Sequence, residues 1–293
     1  MTSRNSDGGA LALMALTVTI WGVSWVAMKY LTQYAGPFDV VFGRYVIAFV
    51  FMLGFMLATG RALGKPPLKL TLGVAVFQTV GMQCFCQLAL MSGGAGQVVL
   101  LAYTMPFWVI GFAWLMLGDR PSQRHVLGFA SAAIGLFCVI APWRGLGSVS
   151  GSLFALAGGM SWGLGVVLSK MLFQRYSPDV LAITTWQMLL GALITLPLAW
   201  VVPQRPIDWA PEFWWGMIYT GVVASGLGWW LWMTVVRRVS AAVVSMSSLG
   251  VPVLTVVFAW LLLGEQPGLP EYLGIVFILG GLLVVNLPVR RST

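Results

Sequence analysis

The sequence predicts an all-α integral membrane protein, in which ten transmembrane helices form two inverted five-helix repeats around a central cavity. The first indication is composition, because 59% of the 293 residues are hydrophobic and only 8% are charged. A soluble domain carries about 25% charged residues. A chain with so few charges cannot cover a surface that faces water, so a lipid bilayer is expected to surround it.

Ten apolar stretches predict the number of helices. Each has about 19 to 25 residues, which is enough to cross about 30 Å of hydrocarbon as a helix. The stretches lie at residues 10–32, 39–58, 70–91, 95–117, 123–141, 151–173, 179–202, 212–236, 240–263 and 269–288. The connections between them are short, and they contain most of the glycine, proline and charge.

An internal repeat predicts the arrangement of the helices. The segments Phe112–Pro121 and Phe258–Pro267 are identical at seven of ten positions with an offset of 146 residues, and Trp21 matches Trp162 with an offset of 141. We expect two units, residues 1–145 and residues 146–293. Five spans per unit is an odd number, so the second unit is inverted relative to the first. Paired repeats around a central site are typical of carriers.

The basic residues predict the orientation in the membrane. If the N-terminus is cytoplasmic, twelve of the sixteen Lys and Arg residues lie on the cytoplasmic side, and only Lys29, Arg44, Arg144 and Arg205 lie outside. This asymmetry favours both termini in the cytoplasm. The net charge of +8 therefore indicates topology rather than a nucleic acid partner. The expected partners are the lipid bilayer and a small-molecule substrate, and the sequence is compatible with a monomer.

The chain resembles the EamA-type drug/metabolite transporters. The resemblance is carried by Trp21-Gly22 followed by Lys29, by the motif Arg44-Tyr45-x-x-Ala48, and by the Leu-Gly-Asp/Glu-x-Pro sequence that ends each half. Within that superfamily, the many tryptophans and the glutamines are similar to the YddG-type aromatic amino acid exporters. The resemblance implies a ten-helix basket, a central substrate cavity, alternating access, and efflux of small metabolites across a bacterial inner membrane.

The predicted spans contain few groups for catalysis or metal binding. No Asp or Glu lies near a span centre, the only histidine is His125 in a connection, and the three cysteines lack the spacing of metal ligands. Lys29, Arg44 and Lys170 lie within two turns of predicted helix ends, from which long side chains extend to the membrane surface. We therefore expect no ionisable side chain deep in a span, no cofactor, no metal site and no enzyme activity.

Neutral polar and aromatic side chains remain as candidates for a substrate site. Thr79, Gln83 and Gln87 are four residues apart and are predicted to share one face of the third helix, where they bond neighbouring helices or line the cavity. Arg44 either extends to the surface or meets a substrate carboxylate near the outer exit. The predicted substrate-binding residues are Trp21, Gln83, Gln87, Tyr103, Trp162, Trp186, Ser248 and Arg44.

Two prolines occupy equivalent positions in the two halves, Pro106 and Pro252. Within a helix, a proline leaves the carbonyl four residues earlier without its usual donor, here the carbonyls of Ala102 and Ser248. The freed carbonyl either accepts a hydrogen bond from a substrate or only accompanies a kink in the helix. Both prolines are predicted to be conformational hinges.

The predicted function is that of a secondary transporter that exports small amphiphilic metabolites, above all aromatic and large apolar amino acids, by alternating access. One alternative is a broad-specificity drug or metabolite efflux carrier for nucleosides or lipophilic cations. The lack of a deep carboxylate disfavours a cation carrier, because the cation would have no counter-charge. A channel-like facilitator is a further alternative, although the sequence has no ring of charge and no filter-like loop.

Overall fold

The structure, a computed structural model, describes residues 3–118, 123–140, 149–238, 248 and 250–286. These residues form helices joined by turns and loops, and no β-strand occurs among them. Six of the described helical stretches are long and apolar enough to cross a membrane, and three shorter apolar helices accompany them. The chain is therefore an all-helical, multi-pass membrane protein, as the sequence predicts. The predicted boundary at residues 145 and 146, and the start of the span predicted at 240–263, lie outside the described residues.

The described part of the first half contains seven helices and one π-helical segment. They are α1 (Ser3–Leu31), α2 (Pro37–Ala58), α3 (Leu68–Val74), π1 (Ala75–Gly81), α4 (Met82–Ser92), α5 (Ala95–Ala102), α6 (Met105–Leu117) and α7 (Gln123–Ile140). Because α3, π1 and α4 follow one another without a break, they form one continuous rod. A single turn at Tyr103 and Thr104 separates α5 from α6.

The described part of the second half contains six helices and a second π-helical segment. They are α8 (Val149–Tyr176), α9 (Val180–Val201), α10 (Pro211–Ile218), π2 (Tyr219–Leu227), α11 (Gly228–Arg238), α12 (Gly250–Leu263) and α13 (Leu269–Asn286). Here α10, π2 and α11 form one continuous rod. The third rod of each half therefore contains a π-helical segment.

The two π-helical segments accept hydrogen bonds from neighbouring helices. A π turn interrupts the usual hydrogen-bond pattern of an α-helix, and π turns are frequent at functional sites. Tyr45 Oη donates to the carbonyl of Thr79 in π1 at 2.7 Å, and Trp21 Nε1 donates to the carbonyl of Ala224 in π2 at 3.1 Å. These bonds connect α2 to π1 and α1 to π2 near the middle of the bundle.

Pro106 lies in the first turn of a helix. It is the second residue of α6, whereas Pro252 lies within α12, whose described part begins at Gly250. The first turn tolerates proline because the amide hydrogens there have no partner within the helix. This corrects the expected mid-helix kink at Pro106, since the helix stops at Tyr103 and Thr104 and begins again.

The helices are connected at two ends of the bundle, which we name after residues that lie there. At the Lys29 end, the turn after α1 meets the loop between α9 and α10, where Arg205 Nη1 donates to the carbonyl of Thr32 at 3.1 Å. At the Arg61 end, the loop after α2 meets the turn after α8, and the Arg61 guanidinium lies 3.8 Å from the Asp179 carboxylate. Since α1 ends at the Lys29 end and α8 ends at the Arg61 end, these two helices run in opposite directions.

Glycines on α8 allow its neighbours to approach closely. Gly159 lies against the carbonyl of Ala102 at the end of α5, and Gly163 lies against Trp108 of α6. A Cβ atom on Gly159 would be 2.7 Å from the Ala102 oxygen, and one on Gly163 would be 2.7 Å from Trp108 Cβ. These contacts are shorter than van der Waals distances, so the packing of α8 requires glycine at both positions.

Gly159→Ala is expected to lower the free energy of unfolding by about 1–3 kcal/mol, because the added methyl group forces α8 away from α5. Thermal unfolding of the purified protein in detergent measures the change. Gly54→Ala is the matched control, since a Cβ at Gly54 meets no atom within 4 Å. That control is expected to be neutral or slightly stabilising, because alanine favours a helix over glycine. Equal destabilisation by the two substitutions would contradict the close-packing interpretation.

Candidate substrate site

Four tryptophans and one tyrosine meet in the middle of the bundle. The ring centroids of Trp21 on α1 and Trp162 on α8 are 5.9 Å apart, with the rings edge to face. Trp229 and Trp232 of α11 pack against both rings, and Tyr103 contacts Trp162 edge-on at 5.2 Å. We call these five residues the aromatic cluster. All five residues are buried. Through their contacts, α1 and α11 pack against α8.

Arg44 of α2 lies beside the aromatic cluster with only 3% of its surface exposed. Its Nε donates to Ser225 Oγ of π2 at 2.8 Å, and its Nη1 donates to Met28 Sδ of α1 at 3.0 Å. Within the described residues, no carboxylate lies at ion-pair distance from Arg44. A buried cation without a counter-charge is unfavourable, and charged residues inside membrane spans usually serve a function.

The burial of Arg44 corrects the expectation that its side chain extends to the membrane surface. Distance from the helix end suggested a route outwards, but Val40, Val41 and Tyr45 on the same part of α2 are completely buried. Neighbouring helices therefore cover this face of α2, and the guanidinium is directed at α1 and π2 instead. Arg44 is thus an ionisable side chain that is buried inside the bundle.

A small cavity lies between Arg44 and the aromatic cluster. Its volume is about 20 Å³, which is room for about one water molecule. Four residues of the cluster line it, namely Trp21, Tyr103, Trp162 and Trp229. The rest of the lining consists of Ser24, Trp25, Met28, Arg44, Met82 and Gln83. The lining is thus aromatic and apolar, apart from one guanidinium, one amide and two hydroxyl groups.

Two polar groups in this lining lack a hydrogen-bond partner within the described part of the chain. They are the indole Nε1 of Trp162 and the hydroxyl of Tyr103, and both are buried. Buried polar groups in proteins nearly always have a partner. Each group is therefore available to a water molecule or a ligand, so the cavity offers two further donors in addition to Arg44.

Gln83 and Gln87 of α4 both hydrogen-bond Met28. Gln83 Nε2 donates to Met28 Sδ at 3.3 Å, and Gln87 Nε2 donates to the Met28 carbonyl at 3.2 Å. Gln83 lines the cavity, whereas Gln87 does not. Thr79 belongs to π1, and its side chain lies against Gly191 of α9, whereas Gln83 and Gln87 bond Met28 of α1. The Thr79 carbonyl accepts the hydroxyl of Tyr45.

Trp186 and Ser248, like Gln87, are predicted substrate residues that do not line the central cavity. Trp186 of α9 donates its Nε1 to the carbonyl of Gly64 at 3.0 Å, in the loop at the Arg61 end. It is partly exposed, whereas Thr184 and Gln187 of the same helix are buried, because α9 directs those side chains inwards and Trp186 towards the loop. Trp186 is therefore removed from the expected aromatic pocket. Ser248 is buried but is not part of the cavity lining.

Sequence reasoning missed three residues that line the cavity from α1, namely Ser24, Trp25 and Met28. They follow Trp21 by three, four and seven positions, which is the spacing of one helical face. That periodicity would have identified them. Ser225, which accepts a hydrogen bond from Arg44, is 181 residues away in the chain and carries no comparable signal.

A larger cavity lies at each end of the bundle. The cavity at the Lys29 end has a volume of about 430 Å³, and the one at the Arg61 end, which Lys170 lines, has a volume of about 440 Å³. Neither shares a lining residue with the central cavity. Lys29 follows Trp21, and Lys170 follows Trp162, by eight residues, or about 12 Å of helix. The central cavity therefore lies about midway between the two.

A helical membrane bundle with a buried, mixed polar and aromatic cavity between two end cavities defines a class of protein that moves small molecules across a membrane. The chain belongs to the EamA-like transporter family, which matches residues 8–141 and again residues 149–287. It is therefore a membrane transporter of small molecules and not an enzyme.

Relatives of similar length match nearly the whole chain. The "Uncharacterized transporter YoaV" of Bacillus subtilis is 25% identical over 94% of this chain and 95% of its own length. The "Probable amino-acid metabolite efflux pump" of Salmonella typhimurium is 28% identical over 97% of both chains. A solved crystal structure has a TM-score of 0.70 at 20% identity and covers 94% of this chain and 96% of its own. At that identity, the structural similarity concerns the fold alone.

Proposed function

We propose that the protein is a secondary carrier that exports aromatic and large apolar amino acids and binds them in the central cavity. One observation carries the proposal. Arg44 is buried beside four tryptophans without a carboxylate partner among the described residues. A zwitterion with a large apolar side chain complements both features, since its carboxylate neutralises the guanidinium and its side chain packs on the indoles.

Each part of such a substrate has a complementary group in the lining. Arg44 binds the carboxylate, because a guanidinium forms paired, charge-assisted hydrogen bonds with carboxylates. Trp162 Nε1 and the Tyr103 hydroxyl supply further donors. The amide oxygen of Gln83 accepts from the ammonium group, and the side chain packs against Trp21 and its neighbours.

Export requires that the site opens to the two ends in turn. The central cavity of about 20 Å³ is too small for an amino acid, and it is separate from the end cavities of about 430 and 440 Å³. This arrangement supports a closed intermediate of an alternating-access cycle. Pro106 in the first turn of α6 and Pro252 in α12 are the proposed hinges about which these helices move.

The proposed architecture has ten transmembrane helices in two inverted five-helix repeats, residues 1–145 and 146–293. The opposite directions of α1 and α8 support the inversion. Two contacts also support it, the one between Trp21 and Trp162 and the hydrogen bond from Ser131 Oγ to the carbonyl of Phe277 at 2.8 Å. The members of each pair are one repeat offset apart in sequence, and a pseudo-twofold axis brings such residues together.

The proposed location is a bacterial inner membrane with both termini in the cytoplasm. The distribution of Lys and Arg supports this orientation, in which the Arg61 end faces the cytoplasm and the Lys29 end faces outwards. Relatives named as transporters in Bacillus subtilis and Salmonella typhimurium support the bacterial membrane. The printed name of the Salmonella relative also supports amino acids as the substrate class.

A broad-specificity carrier for nucleosides or lipophilic cations is the alternative. Arg44 disfavours the cations, because a buried guanidinium repels a second positive charge. Nucleosides have the aromatic surface that the tryptophans favour, but they have no carboxylate for Arg44. Competition between labelled phenylalanine and each class of compound separates these substrates.

Counterflow in proteoliposomes tests the proposal. The purified protein is reconstituted into vesicles preloaded with unlabelled phenylalanine, tryptophan, leucine, glutamate, a nucleoside or a lipophilic cation, and labelled phenylalanine is added outside. Transient accumulation of label is expected with phenylalanine, tryptophan and leucine inside. Flat traces with all amino acids, given folded and inserted protein, would contradict the amino acid proposal. Accumulation driven by the nucleoside alone would favour the alternative.

A further inference from the structure

Met28 connects the polar groups of the central cavity. Its sulfur accepts hydrogen bonds from Arg44 Nη1 at 3.0 Å and from Gln83 Nε2 at 3.3 Å, and its carbonyl accepts one from Gln87 Nε2 at 3.2 Å. The side chain is 3% exposed and lines the cavity. One thioether thus occupies the point on which a cation and an amide donor converge.

A thioether is a poor partner for these donors. Its sulfur is uncharged and a weak acceptor, whereas a guanidinium forms its strongest hydrogen bonds with carboxylates. A carboxylate has two oxygens, so it can accept from Arg44 and from Gln83 at the same time. The two donors therefore have the geometry of an anion site in which Met28 Sδ takes the place of the anion.

The size of the cavity requires a rearrangement of its lining before a ligand binds. A volume of about 20 Å³ accommodates about one water molecule and not a carboxylate with its substituent. A methionine side chain has three rotatable bonds and adapts its shape readily. Rotation about these bonds would withdraw the sulfur from Arg44 and Gln83 and so free both donors.

We infer that the thioether of Met28 occupies the carboxylate position of the ligand-free site, and that the ligand's carboxylate displaces it. The inference rests on the proposed function in assigning the carboxylate to Arg44. It makes Met28 a specificity-determining residue: it holds Arg44 and Gln83 in position when no ligand is present, and it competes with every ligand for them. A ligand without an anionic group gains too little from these donors to displace it.

Met28→Leu tests whether the thioether competes with the ligand carboxylate for Arg44 and Gln83. The substitution removes the sulfur acceptor and retains most of the side-chain volume. Dissociation constants are measured by calorimetry for L-phenylalanine, for 3-phenylpropionate, which lacks the ammonium group, and for L-phenylalaninamide, which lacks the carboxylate. We expect the affinity for the two carboxylates to rise about three- to tenfold, as expected for the removal of one competing hydrogen bond. The affinity for the amide is expected to stay the same.

Met82→Leu is the matched control for this experiment. Met82 is a second buried methionine in the same lining, and it makes no hydrogen bond to Arg44 or Gln83. Its replacement alters the shape of the cavity, so we expect any change to be the same factor for all three ligands. An equal change for all three with Met28→Leu would overturn the inference.

Met28→Glu provides a readout that needs no ligand. A carboxylate placed beside Arg44 is expected to raise the melting temperature and to weaken binding of phenylalanine and phenylpropionate more than tenfold. The rise is expected to disappear in the Arg44→Gln background. A lower melting temperature in both backgrounds would overturn the inference, even if no ligand binds. If phenylpropionate binds and responds to Met28→Leu but phenylalanine does not bind, the amino acid proposal fails and the role of Met28 stands.

Discussion

Replacement of Arg44 by glutamine is expected to lower the kcat/KM of phenylalanine counterflow at least about a hundredfold, because the substrate carboxylate loses its buried, charged partner. The same substitution is expected to leave the stability of the ligand-free protein unchanged or to increase it. Within the described part of the chain, the guanidinium bonds a hydroxyl and a thioether and no carboxylate, so its removal relieves an uncompensated buried charge. Transport and stability are thus expected to change in opposite directions.

Counterflow kinetics and thermal unfolding of the same preparation measure the two effects. Arg61→Gln is the matched control, since Arg61 is half exposed and its one described ion pair, with Asp179, has a separation of 3.8 Å. Exposed pairs of this kind contribute little, so neither transport nor stability should change. If Arg44→Gln destabilises the protein and reduces transport only in proportion to the folded fraction, Arg44 is a structural residue.

Trp162→Ala is expected to lower the free energy of unfolding by about 3–5 kcal/mol and to abolish transport of aromatic amino acids. Trp162 is 1% exposed and contacts Trp21, Trp229, Trp232 and Tyr103. Its removal leaves a cavity at the point where α1, α8 and α11 meet, and it removes one wall of the proposed site. Thermal unfolding and counterflow of labelled phenylalanine measure the two losses.

Two further substitutions separate packing from transport. Trp200→Ala removes a tryptophan that is 85% exposed on the outside of the bundle, so it should leave both quantities nearly unchanged. Trp162→Phe retains an aromatic ring but loses the indole Nε1 donor. Compared with Trp162→Ala, Trp162→Phe is expected to restore much of the free energy of unfolding but a smaller part of the transport rate. If Trp162→Phe has the stability and the transport rate of the unmodified protein, the indole nitrogen has no part in binding.

The repeat in the sequence anticipated the centre of the site better than any single motif. Trp21 and Trp162 were identified as equivalent positions near the middle of their helices, and the structure brings their rings into contact. Gln83 was identified from the four-residue spacing of polar residues on the third predicted helix, and Tyr103 as an aromatic residue within a span, and both line the same cavity. The repeat offset and the position of a residue along its helix can both be determined from the sequence alone.

The direction of the Arg44 side chain could not be predicted from the sequence in the same way. Whether a long side chain reaches the membrane surface depends on the helices that cover it, and here they are α1 and π2, which lie far away in the chain. Trp186 shows the converse, since it lies well within a predicted span and yet bonds a loop. The four-residue spacing of Thr79 and Gln83 predicts a shared face only for a regular α-helix. Residues 75–81 form π1, and the Thr79 side chain lies against Gly191 of α9, whereas Gln83 bonds Met28 of α1.

The single cation of the central cavity also determines how much electrical work transport involves. Among the described residues of the cavity lining, no acidic side chain accompanies Arg44, whose charge stays with α2 when the substrate leaves. A zwitterionic amino acid that crosses without a coupled ion would carry no net charge, and its export would then not depend on the membrane potential. An organic anion bound to the same guanidinium would carry one negative charge out of a cell with a negative interior, which each 100 mV favours by about 2.3 kcal/mol. For a carrier that moves its substrate alone, the membrane potential would thus favour export of an organic anion and would neither favour nor oppose export of a zwitterion.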